Sequence, residues 1–211
     1  HLGLARRTAM DRAINLLRDV GIPDPARRAR SYAFELSGGL AQRVMIAAAL
    51  SADPDLLIAD EPTTALDVTV QAQILRLLDE QRKQRKMAVL LISHDLAVVS
   101  AIAGRIAVMY AGRIVEEGPT SAVLKSPRHP YTRALVACSL LETGGGRTLC
   151  SIPGSVASAK ALGCGCRFHP RCDVARAAGM HDKCVHEEPD LVSAGSGVRA
   201  RCWAGQPPSA D

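Results

Sequence analysis

Two stretches of this chain end apolar runs in side chains that can do phosphoryl chemistry. Leu56-Leu57-Ile58-Ala59 runs into Asp60-Glu61-Pro62, and Ala88-Val89-Leu90-Leu91-Ile92 runs into Ser93-His94-Asp95. Apolar runs of this length without polar alternation predict strands buried on both faces of a parallel sheet. Such sheets carry their functional groups at the C-terminal ends of the strands, so Asp60, Glu61 and His94 are expected to converge. A carboxylate directly after a buried strand is placed to hold Mg²⁺ through water, and the next one can polarise a water against a phosphoryl group. A histidine at the neighbouring tip can touch the same phosphate. The plainer alternative is that Asp60 and Glu61 cap the following turn and His94 is an ordinary loop residue.

Two further groups carry chemical meaning. Ser37-Gly38-Gly39 precedes a helical stretch, so a hydroxyl and unhindered backbone N–H groups would sit at the positive end of a helix dipole, where anions bind. Plain capping is the alternative there. The chain also has seven Cys, none within residues 1–137 and five (Cys164, Cys166, Cys172, Cys184, Cys202) crowded into the last quarter. An odd, clustered set is not a protein-wide disulfide framework and suggests a local metal or cofactor site. Cys166, Cys172, Cys184 and Cys202 are separated by five, eleven and seventeen residues, without the paired C-x₂-C knuckles of most structural zinc sites. Four thiolates can hold zinc or a 4Fe-4S cluster. Cys138 and Cys150 read as ordinary thiols.

These groups need elements to position them. Met10, Ala13, Ile14, Leu17 and Val20 recur at helical spacing, with Thr8 and Asp11 set like a capping box and Gly21 and Pro23 closing the element. A second helix is predicted over Leu40 to Ser51, and a third from about Thr69 to Arg85. Strand, helix, strand order across residues 56–92 implies a parallel crossover. A helix around Leu96 to Ala103 follows. Arg105 to Tyr110 and Arg113 to Gly118 read as a hairpin turning at Ala111-Gly112. The basic run Arg82-Lys83-Gln84-Arg85-Lys86 reads as a solvated helix end.

The composition bounds the class. With 211 residues, 47% hydrophobic and 22% charged, the chain matches average globular usage and not a disordered, collagen-like or coiled-coil sequence. The longest apolar run, Val44 to Leu50, is too short to cross a bilayer, which takes roughly 20 residues. A charge of +5 with only 3% aromatic residues lacks the basic-aromatic interleaving of nucleic-acid binders, so no nucleic acid is expected. From Ser126-Pro127 onward the composition shifts toward Gly, Pro and Cys. The boundaries expected are a main α/β domain over 1–142, a linker over 143–163 and a Cys-rich module over 164–211.

Taken together, Leu36-Ser37-Gly38-Gly39, Gln42-Arg43, Leu57-Ile58-Ala59-Asp60-Glu61-Pro62-Thr63-Thr64-Ala65-Leu66-Asp67 and Ile92-Ser93-His94-Asp95 resemble the signature motif, Walker B strand, D-loop and switch histidine of ABC ATPases. The stretches from Met109 to Gly118 and from His129 to Leu135, with Gly165 to Cys172, are similar to the ATP-binding subunits of dipeptide and oligopeptide importers. The resemblance implies a P-loop NTPase-like parallel-sheet core with a small Cys-rich C-terminal module, in a subunit that binds and hydrolyses ATP to energise peptide import. It implies that Ser37, Gly38, Gly39 and Gln42 face a nucleotide held mainly by a second ATPase subunit. Asp60 would organise Mg²⁺, Glu61 would be the general base, His94 would sense the γ-phosphate and Asp67 would couple the two sites. It also implies transmembrane permease subunits, a peptide-binding protein and a place at the cytoplasmic face of the cell membrane. For the tail it favours a 4Fe-4S cluster on Cys166, Cys172, Cys184 and Cys202, with zinc and free thiols as alternatives and Cys164 as a substitute for Cys184.

One family element is missing. The phosphate loop G-x-x-x-x-G-K-S/T, whose backbone and lysine hold the phosphates, occurs nowhere in these residues, nor does a Q-loop. The chain starts at His1, so the core is expected to be incomplete at its N-terminus. A non-catalytic remnant that folds around a metal or docks on a transporter is the alternative reading.

Overall fold

The computed structural model describes residues 3–64, 66–143, 151–156 and 163–205. In chain order these form α1 (Arg6–Asp19), α2 (Pro25–Arg28), α3 (Gly38–Leu50), β1 (Leu56–Asp60), α4 (Val68–Arg85), β2 (Ala88–Ile92) and α5 (Leu96–Ile102). Then come β3 (Arg105–Tyr110), β4 (Arg113–Pro119), α6 (Thr120–Lys125), α7 (Pro130–Thr143), α8 (Asp173–Ala177), α9 (His181–His186), β5 (Val192–Ser193) and β6 (Arg199–Ala200). Two compact units divide the chain, residues 1–98 and 99–211. This division lies ahead of the composition change near residue 126. Most of the expected linker, 144–150 and 157–162, lies outside the described residues.

In the first unit, β1 and β2 pair in parallel with Asp60 opposite Ile92, and α4 is the crossover between them. Alternation along each strand sends Leu57 and Ala59 inward, where they join Leu16, Leu17, Val20, Ile46, Ala47, Leu50, Ile74, Leu77, Leu78 and Met87 in one core, with Val89 and Leu91 packed against it. The strands were expected to be buried on both faces, and the described residues cover only one. Leu56, Ile58, Leu90 and Ile92 are 51%, 60%, 50% and 46% exposed, because no described element of this unit packs on that side. The helix ends also differ from expectation. At the start of α1, Ala5 stands at the N-cap and no side chain caps it, so Thr8 and Asp11 form no capping box. α4 does have a side-chain cap, from Asp67. It ends at Lys86, whose positive φ of 53° closes the helix in the left-handed conformation. Its basic end is not merely solvated: Arg85 reaches Asp19 at 3.3 Å and Asp53 at 3.2 Å, tying α1 and the turn before β1 to α4.

In the second unit the expected hairpin forms, with Ala111 and Gly112 both at positive φ (46° and 80°). That is the paired left-handed geometry whose twist suits a two-residue β-turn. β6 adds to β4 and β5 to β6, giving a four-stranded sheet ordered β3-β4-β6-β5. Three arginines reinforce the attachment. Arg171 donates to the carbonyls of Ile152 (2.6 Å) and Pro153 (2.7 Å), Arg201 to Ile114 (3.1 Å) and Pro189 (2.9 Å), and Arg167 to Ala111. An aromatic cluster of Tyr110, Tyr131, Phe168 and His129 packs beside them. Among the described residues no helix is long and apolar enough to cross a membrane.

Candidate functional site: the tips of two parallel strands

β1 delivers Asp60 and Glu61 to its C-terminal end, and β2 delivers His94. Asp60, the last residue of β1, is exposed. The chain then turns sharply. Glu61 has a φ of 45°, an uncommon conformation for a residue with a side chain, and its N–H donates to the Ile92 carbonyl at 2.9 Å. The turn points the Glu61 carboxylate at the neighbouring strand tip. His94 Nδ1 lies 2.9 Å from Glu61 Oε1, and the Thr64 hydroxyl donates to Glu61 Oε2 at 2.7 Å. Each carboxylate oxygen therefore has its own partner. These bonds, Thr64's first and His94's second, hold the Glu61 carboxyl below the usual 4.5. The same carboxylate lifts His94 above the usual 6.5.

The signature turn is built separately, at the N-terminus of α3. Ser37 is the N-cap residue, yet its side chain makes no capping bond; its carbonyl accepts from the Ala41 N–H at 2.8 Å. The hydroxyl is not spent on the helix. Gly39 has no room for a side chain, since a Cβ there would stand 2.9 Å from Val70 Cγ1. A Cβ at Gly38 would make only an ordinary contact, 3.5 Å from Leu66 Cδ2. The turn thus rests on the start of α4, where the Asp67 carboxylate caps by accepting the Val70 N–H at 2.9 Å. Gln42 is half-buried on α3. Sequence reasoning passed over Gln71, which donates from Nε2 to the carbonyls of Thr63 and Leu66, both at 3.2 Å, and so holds the loop between Glu61 and Asp67. A lone glutamine on a helix carries no signal that it bridges a loop folded back from an earlier strand.

In the second unit Cys166, Cys172, Cys184 and Cys202 line one small cavity of about 20 Å³, with His129, Phe168 and Trp203 also in its wall. None of the four is in a disulfide. Gly165 makes this possible: a Cβ there would fall 2.3 Å from the Cys184 carbonyl oxygen, so only glycine lets the 164–166 segment lie against α9. Burial pushes the Cys166 thiol up to about 11 and raises those of Cys172 and Cys184. Cys164 is exposed and its thiol turns toward the His186 carbonyl. Cys138 is disulfide-bonded, so it is not the ordinary thiol expected. Among the described residues, no three His, Cys, Asp or Glu side chains are placed to hold a single metal ion.

Comparison with known proteins agrees with this geometry. Residues 4–64 match the ABC transporter family, and residues 115–178 match the oligopeptide/dipeptide transporter C-terminal region. The fold also follows that of solved ABC cassettes. The chain superposes with a TM-score of 0.52 and 29% identity on cbiO1 from Clostridium perfringens, part of the ABC transporter complex cbiONQ, covering 60% of this chain and 49% of that one. With the cassette MJ0796 in its dimeric structure the TM-score is 0.50 at 29% identity, over 57% of this chain and 50% of that one. In its matched segments and in its fold the chain is similar to ABC ATPases. Among curated relatives it is 48% identical to the dipeptide transport ATP-binding protein DppD of Escherichia coli (strain K12) and to a putative peptide import ATP-binding protein of Brucella melitensis biotype 1. Each alignment takes in 96% of this chain, which spans 60% of the relative's length.

Proposed function

We propose that this chain supplies the hydrolytic and partner-facing half of an ATPase that energises import of small peptides, working at the cytoplasmic face of the membrane with permease subunits and a second ATPase subunit. The observation that carries the reading is the Glu61–His94 pair at the tips of adjacent parallel strands, in a chain similar to peptide-import ATP-binding proteins. Asp60, exposed beside it, would hold Mg²⁺, which supplies charge neutralisation on the phosphates. Glu61, kept ionised, takes the proton of the attacking water. His94, charged more readily than an ordinary histidine, transfers its hydrogen bond to the γ-phosphate. The N–H groups at Gly38 and Gly39 and the free Ser37 hydroxyl suit the γ-phosphate of the nucleotide seated on the other subunit, with Gln42 beside them and Asp67 at the joint between the two sites. The phosphate loop must come from residues outside these 211.

In the assembled transporter, Glu61→Gln should retain nucleotide binding and lose hydrolysis, because the amide keeps the shape and cannot accept the proton. The 211-residue chain alone should turn over no ATP. Steady turnover by the pure chain would favour a different site, while an assembled transporter unaffected by Glu61→Gln would remove Glu61 as the base.

The tail reading extends this proposal. Four cysteines outside disulfides that line one cavity fit thiolate ligation by donor type, and four thiolates suit a 4Fe-4S cluster or zinc. The cavity as it stands has room for only about one water, so a cluster would have to spread its walls. Iron and zinc analysis of anaerobically purified protein decides among about four irons, one zinc, and none.

A further inference from the structure

The geometry points to Thr64 as a positioning residue for Glu61: its hydroxyl fixes one carboxylate oxygen so that the other is presented toward the His94 tip. Four bonds converge on this short turn. The Glu61 N–H is anchored on the Ile92 carbonyl at 2.9 Å, and the Thr64 N–H returns to the Glu61 carbonyl at 3.2 Å. These fix the backbone from which the carboxylate hangs. Among the described residues the side chain itself, on the exposed edge, is held by two contacts, Thr64 Oγ1 at Oε2 and His94 Nδ1 at Oε1.

The two contacts differ in kind. His94 is exposed and belongs to the other strand, so its contact with Oε1 breaks whenever His94 turns to another anion. Thr64 belongs to the same turn as Glu61, and its bond to Oε2 survives that movement. With Thr64 in place, a departing His94 leaves Oε1 aimed where it was. Without it, the carboxylate rotates freely just when it must take a proton from water. A glutamate side chain held by no partner has several rotamers to lose, and alignment of the reacting groups is worth considerable rate. The Thr64 hydroxyl is spent on Glu61 Oε2, so its effect is expected on the chemical step and not on nucleotide affinity.

This inference rests on Glu61 being the base, and the test separates the two. ATPase rates of the assembled transporter are measured for wild type, Thr64→Val, Thr64→Ser and Glu61→Gln, with melting curves of each purified chain as a check on folding. Losing one solvent-exposed hydrogen bond of ordinary net strength corresponds to roughly a 3- to 10-fold change. The expected result is a kcat about 3- to 10-fold lower in Thr64→Val, an unchanged KM for ATP, an unchanged melt, and most of the rate restored by Thr64→Ser. Wild-type kcat in Thr64→Val beside an inactive Glu61→Gln overturns the role of Thr64 and leaves the base assignment standing. A rise in KM with a lowered melt and no rescue by serine also overturns it, since that pattern reports damaged structure. Normal hydrolysis by Glu61→Gln removes the base and the Thr64 role with it.

Discussion

Glu61 and His94 make opposite adjustments to the same bond, and the pH behaviour of the site follows from the two signs. His94 titrates above 6.5 in the folded chain, so its share of the attraction is complete below 6.5 and disappears as pH rises through the raised value. Glu61 titrates below 4.5, so its share is complete above 4.5 and disappears as pH falls through the lowered value. The pair is strongest between these limits and loosens toward alkaline pH, freeing the carboxylate. Both groups are solvent-exposed, so the effect is on conformation and proton affinity much more than on stability. NMR titration of His94 should give a midpoint above 6.5 in the wild-type chain, moving back toward 6.5 in Glu61→Gln. An identical midpoint in both proteins would mean that the contact does not persist in solution.

At the level of elements, the second unit depends on a carboxylate with no chemical task. Glu116 in β4 is fully buried, and its two oxygens accept the backbone N–H groups of Arg128 and His129, each at 2.8 Å. These donors stand just ahead of α7, whose first turn has no acidic residue, so Glu116 provides the negative group that a helix N-terminus favours. Glu116→Ala would leave two inward-facing donors unpaired, at a cost of roughly 2–4 kcal/mol. Hydrogen exchange in α7 should accelerate accordingly, and less so in Glu116→Gln. His129, beside this contact, is pushed down to about 4 by burial. It stabilises its neutral form above pH 6.5 and forfeits that stability as the pH falls from 6.5 toward 4.

Such pairings explain what could be read from sequence. The β1, β2 and α4 spans and the β3–β4 hairpin were legible because apolar runs and a two-residue turn are local signals. Asp60, Glu61 and His94 were legible as strand tips for the same reason. The contact of Glu116 with a loop twelve residues on, the Gln71 bridge, and two-residue β6 depend on neighbours that no local pattern names. The Thr8–Asp11 box shows the reverse error, a correct local pattern that the folded chain does not use.

For the whole molecule, the exposed side of β1 and β2 decides behaviour. Leu56, Ile58, Leu90 and Ile92, each about half exposed, would gain about 1 kcal/mol apiece on being covered. A surface like this drives association, and in the proposed ATPase it is where further sheet and helix would lie. The 211-residue chain should therefore self-associate in concentration-dependent fashion, and Ile58→Lys with Leu90→Lys should make it monomeric by sedimentation. A wild-type chain that stays monomeric at high concentration would show that the face tolerates water.

The sheet of the second unit also sets a timetable. β4 pairs with β6 through Glu116↔Ala200 and Glu117↔Arg199, strands that leave the ribosome more than eighty residues apart. Until then β4 has one neighbour, β3, and an open edge on the other side. The four cysteines are completed only when Cys202 emerges, immediately after β6. Closing the sheet and completing the thiol set are thus nearly one event during synthesis, so any cofactor that all four cysteines accept must be delivered after Cys202 has emerged.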